Sequence, residues 1–416
     1  MDNILNDTVI RRFPDPTSEV VVSDCIFELL NLPAEWSGLE LCKEWSQLVG
    51  QSDDINAIYQ SQQWFHLLNE TAQMEPNRIL SIVIVRNSSA HIIGVVPLQY
   101  SCCSPALGNN NWLTSIYKIR EVHILGCDPL LPRDIDFYYK LFQHIYSWFP
   151  GCHGIRFSQV LAGSKIEKML STIEKDKIYK IYNVYCPLPF YVLDLAPNYE
   201  EFLSRFGSKK RYNLKRQCKI LQSSMGSEVR LKIISNREDV HDFFVGLYTD
   251  INAKATSYEG YVPPSTIERN IKNFSIIAEL GLLYCYAIVS GGKNLASIIG
   301  YKSNETYTVH TTYYAKSHAK YSPGTVLSCM AINDLITNQG VKWMCYGCGS
   351  PEYTFSETRI CCDAVIVNNK HPMNNIRYFV HVSYCAFIRY LRSIAPKYIL
   401  NSLKKYINLV REALIN

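Results

Sequence analysis

The sequence predicts an α/β fold (α+β, with a mixed sheet), laid out as two tandem domains of one plan and a C-terminal helical tail. Three observations predict it. Between Glu305 and Tyr346 a strand, a turn, a helix and a second strand follow one another. The order of three strands, a helix and a strand occurs in both halves of the chain, as a repeat of architecture and not of sequence. The length, 416 residues of which 47% are hydrophobic, suits two ordinary cores.

In the first half, residues 39–49 place Leu41, Trp45, Leu48 and Val49 on one helical face. Residues 62–68 read as a further helix. A hairpin follows, with strands at 79–85 and 92–98 around a turn at 87–89. A strand at 121–125, a helix over 136–148 and a strand at 154–157 complete the set. Residues 194–198 form the junction, where Asn198 is placed to cap a helix over 199–206.

The second half opens with a strand at 229–234 and a helix over 239–252, whose Val240, Phe243, Phe244, Leu247 and Ile251 share one side. Strands at 282–289 and 295–301 form a hairpin around Ser290-Gly-Gly292. Residues 305–314 alternate as a strand and 315–323 form a loop. From Gly324, the spacing of Val326, Leu327, Met330, Ala331 and Leu335 predicts a helix, which Asn338 and Gly340 stop. Residues 341–346 are the last strand, broken by Gly347-Cys-Gly349. The domains then run 1–190, 191–372 and, as an amphipathic tail, 373–416. Lys404, Lys405 and Arg411 make the tail basic; it either packs back on the protein or lies on a membrane surface.

Composition removes several classes. A net charge of +5 is mild for this length and suits anionic small ligands better than nucleic acid. The N-terminal residues show no basic stretch followed by an apolar run, and no window spans a membrane, so a cytoplasmic protein is expected. The 15 cysteines, odd in number, then read as reduced thiols. Cys345-x-x-Cys348 has only the adjacent pair Cys361-Cys362 near it, and neighbouring residues rarely share one tetrahedral ion, so no metal is expected.

Tyr321-Ser-Pro-Gly324 before a leucine-bearing helix resembles the pyrophosphate-binding turn of the GNAT acyltransferase superfamily. The branch it resembles is that of the CelD-type (cellulose-biosynthesis-like) acetyltransferases, relatives of the Fem peptidyltransferases. Gly349-Ser-Pro-Glu-Tyr353 is similar to that branch's Gly-Asp-Glu-Pro-Tyr-Lys segment, with the Glu shifted by one and Thr354 in place of Lys. Ser208-Lys-Lys-Arg-Tyr-Asn-Leu-Lys-Arg216 is similar to the basic helix that opens its catalytic domain. The resemblance spans roughly residues 50–370, by order of elements more than by identity.

It implies two GNAT-like domains, of which the second takes acetyl-CoA or another acyl-CoA. Helix amides without intrahelical partners, a glycine that admits close approach and nearby hydroxyls suit a pyrophosphate, so Tyr321, Ser322, Gly324 and Thr325 are the candidates for cofactor binding. Lys209 and Arg211, in a basic run from Arg205 to Lys219, would add charge, although the run also suits a solvated helix. The resemblance puts Glu352 and Tyr353 near the reaction. His310 is a candidate from its strand, where it would share a polar face with Thr308, Thr312 and Tyr314; a structural histidine is the other reading. The first domain has the acidic, proline-bearing loop Cys127–Arg133 where the turn would be, a poor phosphate cradle. The acceptor implied is the amine of a sugar or other cell-envelope precursor. The alternatives are a Fem-like transferase using charged tRNA, with the basic run as an RNA contact, and an inactive binding module of the same fold.

Overall fold

A computed structural model describes residues 22–31, 38–52, 54–72, 78–103, 119–225, 229–252, 262–348 and 355–394. The described helices of the first half are α1 (Leu39–Gln51), α2 (Gln62–Ala72), α3 (Ile135–Trp148) and α4 (Lys165–Lys175). Those of the second are α5 (Tyr199–Ser204), α6 (Ser208–Met225), α7 (Arg237–Asn252), α8 (Pro264–Glu279), α9 (Pro323–Thr337) and α10 (Pro372–Ile394). The strands are β1 (Ile26–Leu30), β2 (Arg78–Arg86), β3 (Ile92–Cys103), β4 (Ile119–Ile124), β5 (Gly154–Leu161) and β6 (Tyr179–Asp194). They continue with β7 (Arg230–Ile234), β8 (Cys285–Ser290), β9 (Lys293–Ser303), β10 (Thr306–Tyr314), β11 (Trp343–Gly347) and β12 (Glu357–Asn368).

All twelve strands join one mixed sheet in the order β1-β2-β3-β4-β5-β12-β6-β11-β10-β9-β8-β7. Its two halves mirror each other. Antiparallel neighbours lead inward to a parallel pair, β4 with β5 and β10 with β11, and a helix, α3 or α9, crosses between the members of each pair. Such crossovers place helices on the sheet faces, and both faces are covered. On one face α3 and α4 pack on Val83, Ile155 and Phe157, while α6 and α9 pack on Ile298 and Met344. On the other, α1 and α2 cover Ile82 and Ile84, α10 covers the centre, and α7 and α8 cover Cys285 and Ile299.

The two halves meet through β12, a strand from the end of the chain. It pairs antiparallel with β5 (Cys361↔Leu161) and with β6 (Asp363↔Val184), so the sheet is continuous. The expected boundary at 190/191 falls inside β6, and that at 372/373 at the first turn of α10.

A buried polar cluster fastens α10 to the first half. Glu121 of β4, 2% exposed, accepts two hydrogen bonds from Arg156 of β5 at 2.7 and 3.0 Å and one from the Tyr378 hydroxyl of α10 at 2.7 Å. Arg156 also reaches Asp363 of β12 at 3.2 Å. Burial alone would raise the Glu121 carboxyl, but the charge and hydrogen bonds of Arg156 outweigh it and hold it low. The outer side of α10 leaves Met373, Ile376, Phe379 and Val380 exposed. Among the described residues no helix is long and apolar enough to cross a membrane. Residues 395–416 of the expected tail lie outside the described residues.

Candidate functional site

The parallel pair β10–β11 is short. Only Thr306↔Trp343, Tyr307↔Met344 and Thr308↔Cys345 are in register. Beyond them β10 follows β9 out to Tyr314↔Ala296, whereas β11 follows β6 to Gly347↔Tyr191. Among the described residues, two strands near the middle of the sheet thus part and leave a gap. Exposure marks its start: Thr306 to Val309 are buried, and His310, Thr311 and Thr312 are exposed.

His310 stands at that opening. It is the extra residue of a β-bulge, because Val309 pairs with Gly300 and Thr311 with Ile299. The bulge changes which residues share a face. Thr308 and His310 look toward α8, where the His310 ring lies 5.9 Å from Phe274 and 5.5 Å from Tyr301. The expected common face with Thr312 and Tyr314 is therefore corrected: after a one-residue insertion those two pair with Ile298 and Ala296 and turn toward α9. Partial desolvation beside the Phe274 and Tyr301 rings lowers the His310 pKa from its ordinary value, which favours the neutral imidazole.

At the far end of β10 the chain makes a 3-10 turn over Lys316–Tyr321 and enters α9 through Ser322, which is left-handed at φ 52° and ψ 47°. Pro323 is the first helical residue, a position where its missing N–H costs nothing. The first intrahelical bond runs from the Val326 N–H to the Ser322 carbonyl (3.1 Å), and no Ser322 side-chain cap is formed. The Gly324 and Thr325 amides precede that bond and are not used by the helix. Among the described residues, a Cβ on Gly324 would meet only Tyr314, at 3.9 Å, and these neighbours do not demand glycine here. The helix itself is anchored by Asp334, which accepts from the Tyr286 hydroxyl at 2.7 Å and from Asn338 at 2.7 Å. Gly340, at φ 62°, follows its end as expected.

The basic helix α6 lies along this turn. Leu214 and Leu221 are buried in the same cluster as Val326 and Leu327. Gln217 donates to the Ser322 hydroxyl at 3.4 Å, and its own carbonyl oxygen is buried with no hydrogen-bond partner among the described residues. At 100° per residue, Lys210 and Ser224 lie within about 20° of Gln217, whereas Lys209 and Arg211 point about 80° and 120° away. The Lys210 ammonium sits 4.3 Å over the Phe206 ring. Gln217 escapes a sequence reading, because basic density draws attention to its neighbours. Tyr321 is half-buried, and hydrogen bonding from Lys320 lowers its pKa.

Glu352 and Tyr353 lie outside the described residues. Their flanks are placed: Cys348 directly after β11, and Phe355 buried against Phe202 and Phe206. The Cys127–Arg133 loop uses its groups internally, with the Asp128 N–H on Asp54 (3.2 Å) and the Leu130 N–H on Gln60 (3.1 Å). Among the described residues no cluster of three or more His, Cys, Asp or Glu side chains is arranged to hold a metal.

Residues 208–354 match the acetyltransferase (GNAT) domain model. The GNAT match begins at the first residue of α6 and includes Ser322, Gly324 and the β10–β11 gap. Among solved structures, FemX is similar over nearly the whole length, with a TM-score of 0.58 at 8% identity, covering 84% of this chain and 100% of that one. At that identity the likeness shows the fold alone. Lower scores come from the tandem GNAT protein of the clavulanic acid biosynthesis pathway (TM-score 0.45, 11% identity, 82% of this chain and 98% of that one). The C-terminal domain of a putative lysylphosphatidylglycerol synthetase from Agrobacterium fabrum scores likewise (TM-score 0.45, 11% identity, 78% and 91%). No curated protein matches the chain.

Proposed function

We propose that this protein is an N-acyltransferase that moves an acyl group, acetyl in the simplest case, from acyl-CoA to an amine. The observation that carries it is the gap: among the described residues, a strand near the middle of the sheet loses its neighbour beside a helix N-terminus whose first amides the helix does not use. The pyrophosphate would lie on the Gly324 and Thr325 amides, with the Tyr321 and Ser322 hydroxyls beside it and Lys209 and Arg211 adding charge from the flanks of α6. The thioester would then reach through the gap between β10 and β11. The free edge of β10 presents backbone N–H groups there, suited to polarise a thioester carbonyl.

The acceptor amine would approach from the other face, where His310 is exposed and neutral. A neutral imidazole there can take the proton the amine must lose. Glu352 and Tyr353, in the segment after β11, are the other candidates, Tyr353 as the donor to the leaving thiolate. The amine would attack directly, without an acyl-enzyme. A place beside the CelD-type branch suits the Ser-Pro-Gly turn, and with it an amino-sugar or other envelope-precursor acceptor in the cytoplasm. Exposed apolar residues on α10 suit a peripheral membrane contact there.

Calorimetric titration with CoA and acetyl-CoA tests the donor. Heat of binding from both, saturating at one site, is expected; its absence would refute the reading and leave a charged-tRNA donor or an inactive module. One observation favours a second reading. Lys209, Lys215, Arg216 and Lys219 on α6 are exposed and have no ion pair among the described residues, which also suits an RNA contact and a charged-tRNA donor. Tight tRNA binding that weakens steeply with salt, without CoA binding, would establish it.

A further inference from the structure

Two cysteines beside the gap are placed to act together. Cys348 follows β11 and is exposed; Cys361 lies on β12 and is 1% exposed. Their sulfurs are 3.4 Å apart. The strands that carry them do not touch, because β11 and β12 flank β6 on opposite sides. The sulfurs meet across β6, near the small cluster of Phe190, Val192, Cys345 and Cys361. The remaining thiols of that region are differently placed, since Cys345 and Cys362 are both buried in the sheet.

We propose that Cys348 and Cys361 are a thiol–disulfide pair that reacts with low-molecular-weight disulfides of the glutathione type. The environment assigns the two roles. A hydrogen bond from the Cys361 thiol lowers the Cys348 pKa, whereas the same bond and burial raise that of Cys361. Cys348 is thus the accessible nucleophile and Cys361 the resolving thiol. In the first step the Cys348 thiolate attacks one sulfur of the external disulfide, whose S–S bond breaks and releases one thiolate. In the second, Cys361 loses its proton and attacks the Cys348 sulfur of the mixed disulfide, expelling the second thiolate. Two protein thiols are oxidised and one external disulfide is reduced to two thiols.

The bond clasps the two neighbours of β6 together and closes a ring of residues 348–361. That ring contains Glu352 and Tyr353; the chemistry of the pair does not rest on the function proposed above.

The test is to expose the full-length protein to glutathione disulfide, block free thiols, and measure intact mass and disulfide-linked peptides. The wild type is expected to lose two hydrogens and yield one cross-linked peptide pair joining Cys348 to Cys361. Cys361→Ser is expected to stop at one glutathione on Cys348, and Cys348→Ser, an exposed change, to take neither modification at this site. A wild type that keeps a stable glutathione adduct on Cys348, stays unmodified there, or forms its cross-link between other cysteines overturns the proposal. None of these readouts involves acyl transfer, so a failure of the functional reading would leave them unchanged.

Discussion

Replacing Gly324 by Trp separates binding at the α9 turn from stability of the fold. Among the described residues, the only atoms within 4 Å of a Cβ at position 324 belong to Tyr314, the nearer at 3.9 Å, which is ordinary contact. Glycine is about 1 kcal/mol worse than alanine in a helix, and tryptophan recovers roughly half of that. The unliganded variant should therefore differ from wild type by less than about 1 kcal/mol. For 416 residues unfolding as one unit, with an unfolding entropy of about 2 cal/mol/K per residue, that is a melting shift of about 1 °C or less. Acetyl-CoA at about a hundred times its Kd stabilises the wild type by about 2.7 kcal/mol, or roughly 3 °C on the same scale. The assay is scanning calorimetry of both proteins with and without acetyl-CoA, with Gly324→Ala as a folding control. A wild-type rise that disappears in a normally melting Gly324→Trp supports the assignment. A variant that keeps the full rise refutes it, since an indole at that position would occupy the space the pyrophosphate needs.

Other predictions follow from the packing. Arg156→Met leaves Glu121 buried without its cation and should cost about 3–5 kcal/mol in urea denaturation; a loss under about 1 kcal/mol would show that the cluster does not fasten α10 to the first half. His123 is held neutral, its pKa lowered to about 4 by burial and then by Arg156. The unfolded chain therefore binds the extra proton between about pH 6.5 and 4, and stability falls as pH drops through that window. From pH 7 to 5 the loss from His123 is at most about 2 kcal/mol, and His123→Gln should flatten the melting temperature against pH, an unchanged profile counting against this cause. Gly300→Ala places a methyl against the Tyr307 ring and hydroxyl, which hydrogen bonds the Tyr284 carbonyl at 2.9 Å, and should cost about 1–3 kcal/mol; a neutral result would mean that β9 and β10 are slack there.

What could be read from the sequence was local. The unit β10–α9–β11 follows from an alternating strand, a Pro-Gly start and a glycine stop. The Asn198 cap, whose side chain accepts from the Glu201 N–H at 2.9 Å, follows from residue type alone. β12 does not, because Glu357-Thr-Arg-Ile-Cys-Cys-Asp363 interrupts its alternation and its partners on β5 lie about 200 residues upstream. Strand β6 is hidden similarly, with Pro187 and Pro189 inside it. In the candidate site, residue types pointed to the Ser322–Gly324 turn, but the parting of β10 from β11 and the bulge at His310 exist only in the register. A one-residue insertion leaves no mark in a sequence, yet it turns Thr312 and Tyr314 away from His310.

The insertion of β12 between β5 and β6 also sets an order of events during synthesis. Leu161 has left the ribosome long before its partner Cys361 is made, and at about 5–20 residues per second the interval is roughly 10–40 s. Through that time β5 has one open edge and Glu121 has Arg156 without Tyr378. Strands this close in sequence invite β5 and β6 to pair with each other, a misregister that the last strand must displace. β12 thus acts as the closing stave of the sheet, and a nascent chain released before residue 357 would leave open the edges of β5 and β6 that β12 covers in the finished protein.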